Sequence, residues 1–328
     1  MAYPERFDEG IQAHITPRGH CLITIKWWAQ PKRRNRAWYD TERRAAGSEH
    51  DFETEMEIDW RRMSGDAYFP EFKTRGEKFY VRPSAGLIPG RPIYRGWDFG
   101  TSRPAVVWGQ IDDSGRVYIL RELAPTGISI HEFRDLILYA SGQISYNDLA
   151  RDKRERAMEI VAQLASPDSP YPPLPWFEAG GLLQFIDYGG PEATAPSKIQ
   201  TASEKTDAQV LASRGIYLRI MHSFLDSREQ VMRALLIPRG TDGWPGIIWD
   251  PTCVHSIQGM LSGLTRKKDT KGNPVKHEFN KVGLYDDLYD ATMFWLTQEI
   301  DPSQVAPDGT IGRYKQSPGL ETHYAVYQ

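Results

Sequence analysis

Ile93-Tyr94-Arg95-Gly96-Trp97-Asp98-Phe99 is the stretch on which the fold turns. It is followed by Ala105-Val106-Val107-Trp108-Gly109-Gln110-Ile111, by the turn residues Asp112-Asp113-Ser114-Gly115, and by Val117-Tyr118-Ile119-Leu120-Arg121-Glu122-Leu123. Short runs rich in β-branched and aromatic residues, separated by tight-turn residues, predict an antiparallel three-stranded meander. Asp98 stands at the end of the first strand. A carboxylate at the tip of a buried strand is costly unless something cationic meets it.

Downstream the period changes. Ile130, Phe133, Leu136, Ile137 and Tyr139 follow helical spacing, as do residues 151–164, and 166–175 is a Pro-rich loop. Leu182-Leu183-Gln184-Phe185-Ile186-Asp187 predicts a short buried strand ending in an acid, before Tyr188-Gly189-Gly190. A helix over 205–213 and a strand over 216–220 complete a strand-helix-strand unit, which implies a parallel crossover. Then come a helix over 228–237, a short strand at 246–249 and a helix over 253–263. A polar segment over 266–282 containing Gly272-Asn273-Pro274 suits a basic hairpin or mobile loop, and a last helix spans 286–300. This order predicts an α/β protein, a mixed sheet flanked by helices on both faces in the manner of ribonuclease H.

Upstream, Trp38-Tyr39, Phe52, Met56 and Trp60 lie among many charged residues at spacings that suit amphipathic helices, and residues 65–90 read as a polar connector. The expected organisation is a short, mainly helical N-terminal extension over 1–85, one main domain over 86–300 and an extended tail over 301–328. No internal repeat is present.

Composition bounds the function. The chain has 328 residues, 40% hydrophobic and 25% charged, which is the balance of a soluble globular protein. Its two cysteines, Cys21 and Cys253, have neither disulfide-framework nor zinc-site spacing. No secretory h-region and no long apolar run are present, so a membrane location is not expected and a reducing cytoplasm is. The net charge of −3 conceals the basic blocks Lys32-Arg33-Arg34-Asn35-Arg36 and Arg266-Lys267-Lys268, and an acidic protein handles DNA when its positive charge lies on one face.

Three acidic sites stand out: Asp98, Asp187 and the Asp286-Asp287-Leu288-Tyr289-Asp290-Ala291 segment. In a sheet of this order the ends of the first strand and of the first parallel strand are neighbours, which is expected to bring Asp98 and Asp187 together. The last helix delivers a third carboxylate; Asp287 and Asp290, at i and i+3, share a face, while Asp286 is positioned to cap the helix. Mg²⁺ and Mn²⁺ prefer carboxylate oxygens and water, and a pair of such ions hydrolyses phosphodiesters without a histidine or serine nucleophile. Taken singly, each acid has an ordinary structural explanation: a helix cap for Asp286, a turn residue for Asp187. Gly96 and Gly100 either admit a phosphate or metal close to the backbone or serve as sheet-end glycines. Lys198, Arg266, Lys267, Lys268, Lys271, Lys276 and Lys281 are candidate contacts to DNA phosphates. Trp27, Trp28 and Trp38 read as packing residues.

The motifs Gly96-Trp97-Asp98-Phe99-Gly100, Phe185-Ile186-Asp187-Tyr188-Gly189-Gly190-Pro191 with Thr206-Asp207 and Gly215-Ile216, and Asp286-Asp287-Leu288-Tyr289-Asp290-Ala291, in this order, resemble the nuclease domain of tailed-bacteriophage terminase large subunits over about residues 94–299. The resemblance implies a ribonuclease H-like endonuclease that uses two divalent ions, Mg²⁺ or Mn²⁺, to cut concatemeric double-stranded DNA during viral genome packaging in the cytoplasm of an infected bacterium. It implies a packaging ATPase, a small terminase subunit and a portal as partners. Carried over, Asp98 resembles the first metal ligand and Asp187 the second; the third is open among Asp286, Asp287 and Asp290, with Asp287 favoured and Asp286 beside it. Residues 1–85 are similar to the segment joining ATPase to nuclease. No Gly-x-x-x-x-Gly-Lys-Ser/Thr loop occurs, so ATP binding by that route is not expected, and the motor is expected on a separate polypeptide or on a part of the protein outside this chain. The competing functions are a resolvase- or transposase-type nuclease sharing the acids, and a non-catalytic module that grips DNA or docks the motor to the portal.

Overall fold

The computed structural model describes residues 8, 10–15, 21–45, 67–75, 77–84, 86–100, 103–164, 171–178, 183–195, 205–239, 243–270, 272–281 and 283–301. Its N-terminal part is not mainly helical. Strands β1 (Ile11–Ile15) and β2 (Cys21–Ile25) pair antiparallel, with Ile11 opposite Ile25 and Ala13 opposite Ile23. Alternating β-branched residues in both segments are the signal for it. Two 3-10 turns, Trp27–Ala29 and Pro31–Arg33, lead into helix α1 (Arg36–Ala45). Trp27 is buried, and its ring centroid stands 5.4 Å from those of Trp28, Trp38 and Tyr39, so these aromatics pack on one another. Phe52, Met56, Trp60 and the tail after 301 lie outside the described residues.

The packing does not change near residue 85. Helices α2 (Pro70–Arg75) and α3 (Glu77–Tyr80) carry aromatic side chains into the main core. Tyr68, Phe69, Phe72 and Tyr80 are at most 1% exposed and share a cluster with Trp249, Phe279 and Tyr289. Backbone bonds join this segment to the rest: Tyr68 N–H donates to the Leu264 carbonyl (2.8 Å) and Arg82 N–H to the Trp249 carbonyl (3.0 Å). The charged residues between the aromatics made the segment look like a connector, whereas the aromatics form its buried face.

The meander is present as β3 (Ile93–Phe99), β4 (Pro104–Ile111) and β5 (Val117–Leu123). Helices α4 (Ile130–Ala140) and α5 (Arg151–Leu164) follow. Strand β6 (Phe185–Gly189) runs parallel to β3, and after α6 (Asp207–Ala212) strand β7 (Leu218–Ile220) runs parallel to β6. The cap of α6 is Thr206, reciprocally bonded with Gln209. Helix α7 (Leu225–Leu236), the two-residue strands β8 (Pro238–Arg239) and β9 (Trp244–Pro245), and β10 (Ile247–Trp249) come next, β10 joining the far edge parallel to β5. The sheet order is β10-β5-β4-β3-β6-β7. It is a mixed six-stranded α/β sheet of the ribonuclease H type, extended by β10.

Both sheet faces are covered. One carries Trp97, Val106, Trp108 and Leu120 against Phe133 and Ile137 of α4 and Val210 and Leu211 of α6. The other carries Tyr94, Val107, Ile119 and Tyr188 against α7 and the last helix, α9 (Leu284–Glu299). Helix α8 (Val254–Gln258) continues into a π-helical turn, Gly259–Gly263. Strands β11 (Arg266–Lys268) and β12 (Pro274–Phe279) form the expected basic hairpin, which leads straight into α9.

Gly96 proves to be a packing glycine rather than an opening for phosphate. A Cβ there would overlap the Ala291 carbonyl oxygen, and one at Gly109 would stand 2.5 Å from the Trp295 ring. Both glycines let α9 lie directly on the sheet.

Candidate metal centre

Strand pleating settles which acids meet. Tyr94, Gly96 and Asp98 alternate onto the face covered by α9, where Tyr94 stacks on Trp295 with centroids 5.1 Å apart. Arg95, Trp97 and Phe99 point to the opposite face, where Trp97 meets Phe133 edge-on. Helix α9 starts at Leu284 after Gly283, whose φ of 86° is a left-handed conformation suited to glycine. The N-cap position is therefore Gly283 and not Asp286; Asp286 and Asp287 both lie in the first turn, where the helix dipole favours negative charge. Asp287 and Asp290 share the face turned toward Asp98, and Asp286 is buried beside them.

The electrostatics record this crowding. Burial, and after it the carboxylates of Asp290, Asp287 and Glu192, hold the Asp98 carboxyl well above the ordinary range, Lys281 opposing. Burial and the Asp286 charge push Asp287 up to about 6, against the pull of Arg103. Asp290 is raised by burial despite Arg228, which forms a close ion pair with it and also donates from Nε to Ser223 Oγ (2.7 Å).

Asp187 is not part of this group, contrary to the expectation that it joins Asp98. It was expected at the end of its strand, but β6 runs on through Tyr188 and Gly189 because Tyr188 is buried and bonded to Glu299. Asp187 pairs in register with Arg95, three residues before Asp98, or roughly 10 Å along the strand, and it faces the other layer. There it accepts hydrogen bonds from Arg95 Nε (2.6 Å), Arg95 Nη2 (2.8 Å) and Trp97 Nε1 (2.7 Å). Its carboxylate is saturated inside the core.

Glu192, which the sequence reading passed over, stands where Asp187 was expected. The last registered pair is Trp97 with Gly189, so the chain just beyond Gly189 is level with Asp98. The Glu192 carboxylate folds back into the space beside Gly190 that a side chain would occupy. Its Oε1 is buried with no hydrogen-bond partner among the described residues. The sequence signal was the acid five residues past Asp187, after Gly-Gly-Pro had closed the strand.

The donor set fits a hard divalent ion: three or four carboxylates at one end of a sheet, one with an orphaned buried oxygen, all carrying unfavourable mutual repulsion. Among the described residues no three such side chains already stand as a finished cage; Asp290 is engaged by Arg228 and the remaining anions repel one another. A cation would draw them inward.

Of the candidate DNA contacts, Arg266, Lys267, Lys268 and Lys276 lie on the hairpin, where Lys267 pairs with Glu278 at 2.5 Å. Lys281 lies between hairpin and α9 and acts on all three of Asp98, Asp287 and Asp290. Lys198 and Lys271 lie outside the described residues. Gly100 closes the β3–β4 turn, a Cβ there standing 2.6 Å from the Arg103 carbonyl oxygen. Among the described residues no helix is long and apolar enough to cross a membrane.

No protein-family model matches the chain, and no curated protein does. Among solved structures it is similar to the full large terminase of a thermophilic bacteriophage, at 14% identity and TM-score 0.40, over 80% of this chain and 52% of that one. It is also similar to the nuclease domain of the g2p large terminase from bacteriophage SPP1 with bound Mn, at 15% identity and TM-score 0.36, over 66% and 94%. A third is the large terminase nuclease of thermophilic phage G20c with bound magnesium, at 12% identity and TM-score 0.33, over 72% and 97%. The chain spans about half the length of the first of these three proteins.

Proposed function

We propose that this chain is a divalent-metal-dependent DNA endonuclease, the nuclease part of a viral genome-packaging terminase. The observation that carries the metal site is the gathering of Asp98, Asp287, Asp290 and Glu192 at one sheet end with a buried carboxylate oxygen left unpaired. The order of the three sequence motifs carries the terminase assignment. Asp98, Asp287 and Glu192 would hold the metal, Glu192 replacing Asp187 in that set, with Asp286 supporting from behind and Asp290 shared with Arg228. Two Mg²⁺ or Mn²⁺ ions would supply Lewis acidity, lowering the pKa of the attacking water and offsetting charge on the phosphate. The residues themselves position: the acids fix the reacting end of the sheet, Lys281 brings a cation to it, and the hairpin cations meet the flanking DNA backbone. Double-stranded DNA is the substrate, and a packaging ATPase, small terminase subunit and portal are the partners that would bring it to the site.

Incubating supercoiled plasmid with the chain and Mn²⁺ tests this. Wild type is expected to nick and linearise it, and Asp98→Asn, Asp287→Asn and Glu192→Gln to fall by at least about 100-fold. Undiminished cutting by Asp98→Asn would overturn the site. Preference for branched over linear duplex would favour a resolvase-type enzyme instead.

A further inference from the structure

The arginines near the sheet ends are almost all saturated. Arg95 spends its donors on Asp187, Ser141 and Gln143, Arg228 on Asp290 and Ser223, and Arg233 on Glu229, Glu71 and the Tyr68 carbonyl. Arg103 differs. Among the described residues its guanidinium approaches only Asp287, at 3.8 Å, with its side chain 25% exposed. A charge-assisted hydrogen bond closes to about 2.7–2.9 Å, so this pair is not in direct contact, and the gap has room for an intervening oxygen.

Its placement is held by backbone on two sides. Gly100 packs against the Arg103 carbonyl, and a Cβ on Gly100 would also stand 3.7 Å from Asp287 Oδ1. Across the cleft, the Cβ position of Gly283, the residue that opens α9, lies 3.5 Å from Arg103 Nη1. The side chain thus spans from the turn after Asp98 to the helix start before Asp287, along the rim of the acid cluster, with its five N–H donors open.

We propose that Arg103 is a substrate-contacting residue, its guanidinium binding a non-bridging oxygen of the DNA phosphate being cut beside Asp98 and Asp287; this rests on the nuclease reading above. A cluster of carboxylates repels a phosphodiester, so a cation fixed at its edge is needed to seat one. Lys281 supplies a point charge, whereas the planar fork of an arginine matches phosphate oxygens in pairs. In the hydrolysis, the water oxygen bonds to phosphorus, the bond from phosphorus to the 3′ oxygen breaks, and that oxygen leaves with a proton derived from the water, giving 5′-phosphate and 3′-hydroxyl ends. Arg103 stays protonated throughout and contributes hydrogen bonds to the charge that builds on the non-bridging oxygens.

The test compares wild type, Asp98→Asn, Arg103→Ala and Arg103→Lys in Mn²⁺-dependent plasmid cleavage, with Mn²⁺ affinity measured by electron paramagnetic resonance. Arg103→Ala is expected to bind Mn²⁺ at least as tightly as wild type, since a repelling cation is gone. Its kcat should fall by roughly 100- to 1,000-fold with a smaller change in KM, and Arg103→Lys should recover part of the rate. If Arg103→Ala cuts like wild type, the proposal fails while the nuclease reading stands. Loss of Mn²⁺ binding together with a lowered melting temperature assigns Arg103 a structural role and also overturns it. A wild-type chain that leaves plasmid intact, or an Asp98→Asn chain that cuts normally, removes the nuclease reading and this proposal with it.

Discussion

Two aspartates of similar appearance in sequence do opposite things. Asp98 and Asp287 are destabilised by their neighbours: each has a folded-state pKa above its unfolded one, so the folded state binds more protons, and stability is lost as pH rises through that interval. For Asp287 the window runs from 3.8 to about 6, worth at most about 3 kcal/mol. Without divalent metal, Asp287→Asn should therefore melt at nearly the wild-type temperature at pH 4 and progressively above it toward pH 7; millimolar Mn²⁺ should cancel the advantage. Calorimetric scans across that range would check it, and a pH-independent difference would sink the crowding argument. Asp187 is the reverse case, since its removal strands a buried guanidinium. Asp187→Asn is expected to lose roughly 3–5 kcal/mol in urea unfolding, and a near-neutral result would show that Arg95 finds other partners.

Helix α9 gathers the site. Two of its acids face Asp98 because the helix lies directly on β3 and β4, and it can do so because Gly96 and Gly109 present no side chain to Ala291 and Trp295. Gly96→Ala places a methyl group into helix backbone, which cannot swing aside as a flexible side chain would. We expect destabilisation of at least about 3 kcal/mol and loss of metal-dependent cleavage, read by unfolding and plasmid assays on the same sample. Wild-type stability in this variant would mean that α9 sits farther from the sheet than described.

At the scale of the molecule, the core runs from residue 67 to 301, since Tyr68, Phe69, Phe72 and Tyr80 fill the layer that holds α7, β10 and α9. A chain starting at residue 86 exposes that surface and should aggregate or melt early, whereas one starting at 67 should retain a cooperative transition; equal melting temperatures would overturn this. The basic hairpin and the meander were legible beforehand because turn residues and alternation are local. So was the ribonuclease H-like order, and so were Asp98 and the acids of the last helix as candidates, each being a charge set in apolar surroundings. Which acids share a pocket was not legible. That depends on the register between β3 and β6 and on the pleat, where one residue reverses the face: tertiary pairing sent Asp187 to Arg95 in the core, and the chain's return after Gly190 carried Glu192 to the place beside Asp98. The aromatic segment before residue 85 was hidden for the same reason, since the surface that makes its charged residues outward and its rings inward is built by strands and helices more than 160 residues away.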